Sequence, residues 1–225
     1  MELKDALEVM TDSSPNFGIT KMGTAANHTE IKADGTMRRI GEATAWKDMV
    51  FSLFGAKLNS SSGKVDYDYD NNVIVFSPNG TIGNTADMVG GNLEINHEFK
   101  VGAGIVFKPH IHWLQEVTSN AVLDVVFTMR YRLQRNDTIQ TTAWTTITAE
   151  AGTGGDDVFD FTGGADGLYN QITKFDDITV TCGISDTFQI QIARTDITTG
   201  NISATFIDFH GEVDSDGSDT EYVKA

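Results

Sequence analysis

Positive charge is scarce in this chain: 16 Lys and Arg stand against 32 Asp and Glu, for a formal net charge of −16. Grip on a phosphate backbone or an anionic bilayer relies on clustered cations, and the nearest approaches to a cluster are Arg38-Arg39 and the stretch from Arg130 to Arg135. Neither nucleic acid nor membrane is therefore expected as a direct partner. Cysteine occurs once, so no internal disulfide can form; Cys182 lies in the strand-like run Ile178-Thr-Val-Thr-Cys182, which predicts a small buried thiol. Nowhere do 18 apolar residues run together, and the opening MELKDALEVM is acidic with no long apolar stretch, so neither a membrane span nor a secretion leader is expected. A product made in a cytoplasm, or released from it by lysis, fits these absences. The chain also lacks a Gly-x-Ser-x-Gly elbow and a Gly-rich phosphate loop following a strand, and spacing singles out no carboxylate pair. No catalytic residue and no cofactor is expected, and enzyme is not the favoured class.

What is present is a chain of 225 residues with 40% hydrophobic residues, 13 Phe, 22 Gly and only 3 Pro, the profile of a globular chain with many turns. A chain this long buries roughly 70% of its unfolded surface, enough for one large domain. Leu3, Ala6, Leu7 and Met10 recur at helical spacing before the Thr11-Asp12-Ser13-Ser14-Pro15 stop, which predicts a short helix. A helix this short needs a partner surface, and Leu3, Leu7 and Met10 are the residues expected to meet it. The polar, Gly-punctuated stretch from Asn16 to Gly41 reads as an extended arm, so that residues 1–41 form an anchoring segment and residues 42–225 the body.

After Gly41, strand-like runs alternate with Gly, Asn, Asp and Ser. They cover 46–54, 64–69, 72–76, 92–99, 104–114, 122–134, 143–149, 171–182, 187–194 and 203–213. Alternation is clean from Val122 to Leu133: Leu123, Val125, Phe127, Met129, Tyr131 and Leu133 share the parity expected to face a core. Phe188, Ile190 and Ile192 do the same in a later run. Many strands without intervening helices predict an all-β, antiparallel sandwich, and the strand number favours the jelly-roll type over an immunoglobulin-like one. The Gly-rich stretch from Gly152 to Gly167 reads as a long surface loop.

The sharpest chemical pattern is Gly104-x5-His110-x-His112-x3-Glu116. Alternate residues of a strand share a face, so both imidazoles can reach one ion. The spacing resembles the first motif of the cupins, which are jelly-roll proteins. The second cupin motif, which supplies a further histidine, is not matched: His210 stands without the expected Pro-x-Gly and Asn. His110, His112 and His210 are accordingly expected to gather, as a structural cluster or a metal site. Asp66-x-Asp68-x-Asp70 and Asp214-x-Asp216 resemble the start of calcium loops, but Ser77 occupies the twelfth place counted from Asp66, where a Glu is required.

Three segments resemble a family of uncharacterised structural proteins of tailed bacteriophages. Ile31-Lys-Ala-Asp-Gly-Thr-Met37 with Gly41-Glu-Ala-Thr-Ala-Trp46-Lys-Asp48 is similar to the family's opening, Lys108-Pro-His110-Ile-His112-Trp113 to its "PHVHW" segment, and Ile207-Asp-Phe-His210-Gly-Glu-Val-Asp214 through Glu221-Tyr-Val-Lys224 to its "FHYEVD…EYVK" close. Gly211 departs from the Tyr usual after the closing His, and Asp219-Thr220 from a basic residue. The resemblance implies a component of the virion with no assigned activity. The expectation is a capsid decoration or head-fibre protein, assembled as a homotrimer and contacting the major capsid protein or collar proteins. A collar or tail-side adhesion module that binds host glycans through the 152–167 loops is the alternative.

Overall fold

A computed structural model describes residues 20–32, 36–41, 45–53, 63–117, 124–136, 138–139, 143–150, 167–197 and 200–214; the side chains at 20, 115–117 and 167–169 fall outside that description. The expected N-terminal helix, with Leu3, Leu7 and Met10, and the 152–166 loop lie outside the described residues.

The body is an all-β, antiparallel sandwich of jelly-roll type. A four-stranded sheet runs in the order β10 (Thr145–Glu150), β9 (Val126–Gln134), β13 (Thr187–Arg194), β7 (Val89–Glu94). The facing seven-stranded sheet runs β11 (Gly167–Lys174), β8 (Gly102–Val117), β14 (Ile202–Val213), β6 (Val73–Phe76), β5 (Val65–Asp68). Two further strands complete that second sheet: β12 (Ile178–Cys182) beside β8 and β4 (Ala45–Ser52) beside β14. All pairings are antiparallel.

Aromatic rings join the layers. Phe127 of β9 meets Phe76 and Trp113 of the opposite sheet at centroid distances of 6.1 and 5.9 Å, and Phe188 of β13 meets Phe107 and Phe209 at 5.2 and 5.4 Å. Edge and tilted ring contacts of this kind add about 0.5–1.5 kcal/mol each beyond the area they bury. Trp113 is fully buried, and its indole N–H donates to Thr173 Oγ1 at 2.9 Å, which removes the cost of hiding that donor. Val125, just ahead of β9, Phe127 and Met129 on it, and Phe188, Ile190 and Ile192 on β13 are buried in the core, with Tyr131 and Leu133 packed against it; Leu123 lies outside the described residues. Cys182 is a buried thiol, as its strand-like surroundings predict.

Several boundaries differ from the sequence expectation. The run from Gln171 to Cys182 is two strands, β11 and β12, and both pair with the same edge of β8. Pro109 explains the break. Its carbonyl accepts from Phe175 N at 2.9 Å, so residue 109 points its backbone groups at this edge, where proline has no N–H to return. The ladder stops at Lys174 opposite His110 and resumes at Ile178 opposite Phe107. The strand expected over 92–99 begins earlier, at Val89, and ends at Glu94, where the Asn96 side chain bonds with Glu98 instead of continuing a ladder. Tyr69 is 71% exposed, because β5 ends at Asp68 and the chain turns there.

The stretch read as an arm is, over its described residues, a meander of β1 (Thr20–Gly23), β2 (His28–Ile31) and β3 (Met37–Ile40), joined to the body where Arg39 N donates to Asp214 O. Among the described residues no helix is long and apolar enough to cross a membrane.

Candidate functional site

The site arises from a parity change in β14. Ile202 and Ala204 face the core, and so do Ile207, Phe209 and Val213, an alternation that fails by one residue between the two sets. The register shifts between Ala204 and Phe206, leaving Thr205 as the extra residue of a β-bulge. Without the bulge, Asp208 and His210 would keep the parity of Ala204 and point into the sandwich. With it, Asp208 lies opposite His110 of β8, Phe206 opposite His112, and His210 opposite both Lys108 of β8 and Asp48 of β4.

The outcome is a cluster on the outer face of the large sheet. His110 and His112 have ring centroids 5.1 Å apart, and the His210 ring stands edge-on to His110 at 4.4 Å. Phe206 stacks on His112 at 4.1 Å. Asp208 sits at the centre, with Oδ1 2.6 Å from His110 Nε2 and Oδ2 3.4 Å from His112 Nε2. His210 Nε2 lies 2.6 Å from Asp48 Oδ1 at the more open rim.

His110 and Asp208 are buried, at 8% and 3% exposure, while the His210 side chain is 40% exposed. Burial pushes the Asp208 carboxyl up, but the His110 and His112 imidazoles beside it outweigh that effect and hold it down at about 2. Among the described residues, neither Asp208 Oδ1 nor His112 Nε2 has a correctly aligned hydrogen-bond partner, despite these close approaches. One ligand atom from each of His110, Asp208 and His210 falls within 4.8 Å of the others.

Asp208 and Asp48 are the members that histidine spacing could not supply. Asp208 carried a signal nonetheless: Asp208-x-His210 repeats the two-residue spacing of His110-x-His112. The side chain of Glu116, third in the cupin-like spacing, lies outside the described set. Asp66 and Asp68 lie in β5 and the chain turns after Asp68, whose Oδ1 accepts from the backbone N–H groups of Asp70 and Asn71 and whose Oδ2 accepts from the Asn71 side chain at 2.8 Å. Asp216 and Asp219 of the other acidic run lie outside the described residues.

A concavity lies on the four-stranded sheet, apart from the histidine cluster. It has a volume of about 580 Å³ and is lined by Asn92, Arg132, Trp144, Gln189 and Gln191 among others. Arg130 and Arg132 place their guanidinium groups 4.7 and 4.6 Å from the Trp144 ring centre, and donate to Gln191 and Gln189 at 2.5 and 2.6 Å.

No protein-family model matches the chain, and no curated protein matches it.

Proposed function

We propose that the chain is a non-enzymatic structural component of a tailed-bacteriophage particle, a capsid decoration or head-fibre protein assembled as a homotrimer. The observation that carries the reading is the convergence of separate signatures. Trp46-Lys-Asp48, Lys108 to Trp113 and Ile207 to Asp214, the segments that resemble phage structural proteins, pair edge to edge as β4, β14 and β8. The three segments lie side by side in one sheet, with Asp48, Lys108, His110, Asp208 and His210 on its outer face.

That face suits contact between copies of an acidic chain. The Lys108 ammonium lies 4.7 Å above the ring of exposed Trp46, Val50 of the same strand as Trp46 is 58% exposed, and Lys174 lies farther across the sheet, opposite His110. Leu3, Leu7 and Met10 remain the proposed anchor to the major capsid protein or to collar proteins. Light scattering of the purified full chain tests the reading: a stable trimer supports it, and a strict monomer at micromolar concentration contradicts it.

The groove beside Trp144 favours a second reading, a collar or tail-side module that binds host glycans, because an aromatic ring flanked by amides and guanidiniums suits sugar hydroxyls. A glycan array tests it: capture of a defined sugar supports this reading, and no capture across the array contradicts it.

A further inference from the structure

We infer that His110, Asp208 and His210, with His112 beside them, form a binding site for a borderline divalent transition metal such as zinc, which clips β8 to β14. The inference is independent of the particle reading.

The first support is unmet bonding capacity. Asp208 is 3% exposed, and its Oδ1 has no correctly aligned hydrogen-bond donor among the described residues, although His110 Nε2 is 2.6 Å away. His112 Nε2 is likewise unpartnered at 3.4 Å from Asp208 Oδ2. A folded protein normally pairs such buried atoms, since each one left alone costs about 1–3 kcal/mol. Nitrogen and oxygen atoms this close, without an aligned bond between them, are placed to turn toward a shared cation.

The second support is spacing. A tetrahedral ion with bonds of about 2.0–2.1 Å holds its ligand atoms about 3.3 Å apart. His110 Nε2 and Asp208 Oδ1 are 2.6 Å apart, and one ligand atom from each of His110, Asp208 and His210 lies within 4.8 Å of the others, close to that spacing. The ladder between His110 and Asp208 fixes the backbone beneath it.

The third is the donor set. Two or three imidazoles and one carboxylate match zinc, cobalt or nickel, whereas calcium and magnesium require mainly oxygen ligands. Asp48, 2.6 Å from His210 Nε2, supplies the outer carboxylate that commonly orients a metal-bound imidazole. Of the two lysines paired with cluster histidines, Lys108, opposite His210, is drawn aside over the Trp46 ring, and Lys174 stands opposite His110 on β11.

Full-length protein stripped with a chelator and then dialysed should take up one equivalent of zinc by calorimetry. At zinc one hundred times its dissociation constant, the melting temperature should rise by about 5–10 °C. Cobalt in place of zinc should develop visible absorption bands of a four-coordinate centre. His210→Gln, at the exposed rim where folding is least disturbed, should weaken zinc binding by about tenfold or more, and Asp48→Asn by about tenfold. His97→Gln, away from the cluster, should leave it unchanged. Absence of stoichiometric uptake overturns the inference, as does wild-type affinity in both His210→Gln and His110→Gln. So does calcium competing on equal terms.

Discussion

Gly211 shows how one residue can be dictated by a neighbour far away in the chain. It faces the core between the paired strands β14 and β8, and a Cβ built there would meet the Phe99 ring at 2.6 Å and Phe107 at 2.9 Å. The tyrosine that the family resemblance would place here has no room while Phe99 occupies the space. Gly211→Ala should therefore destabilise the protein by about 1–3 kcal/mol through overpacking, read as a drop in the thermal or urea midpoint. An unchanged midpoint would show that Phe99 gives way freely. The departure at Gly211 is legible in the sequence, but its cause is not, because nothing in the order of residues says that Phe99 lies against it. The histidines are similar: the shared face of His110 and His112 follows from strand periodicity, whereas the central carboxylate, Asp208, becomes visible only once β14 is set beside β8.

Elements were most legible where one face meets the core and the other meets water. Alternation located β9 and β13 and identified their buried residues, since a one-residue slip would expose every apolar side chain. It failed where the ladder is broken by chemistry that a local pattern does not display. Pro109 divides β11 from β12 because it lacks a donor on one edge of a strand far from both in sequence. The strands of the meander β1–β3 are short, with side chains exposed or half-buried apart from His28, which leaves little hydrophobic period to detect.

Its cohesion is partly electrostatic. Glu30 accepts from the Lys21 ammonium at 2.9 Å and faces the His28 ring at 3.1 Å; hydrogen bonding to Lys21 first, and to His28 second, brings its carboxyl from 4.5 down to about 2. A carboxyl lowered by folding stabilises the fold above its unfolded value, and that contribution is lost as pH falls through the folded value. Amide exchange in β1–β3 should accordingly speed up between about pH 4.5 and pH 2, relative to the core strands, once the intrinsic pH dependence is removed. Glu30→Gln should abolish that extra sensitivity. Uniform behaviour of the meander and the core would refute this account of its cohesion.

At the scale of the whole molecule, composition and periodicity carried the fold class, because a long chain with many strand-like runs and no intervening helices has few ways to bury its aromatic residues other than between two sheets. What they could not convey is which surfaces are shared, since that depends on β4, β14 and β8 lying side by side. If copies meet through this face, a charge placed at exposed Val50 should separate them without disturbing the core. Val50→Asp should shift the light-scattering mass from trimer to monomer and leave the melting curve of the body unchanged; a trimer that survives would move the contact elsewhere. The central proposal is membership of a phage particle, and its most direct test is the copy number of this chain, by quantitative mass spectrometry, in purified virions of any phage found to carry its gene. The account predicts a fixed number per particle, divisible by three. Complete, infectious particles that lack the chain would contradict it.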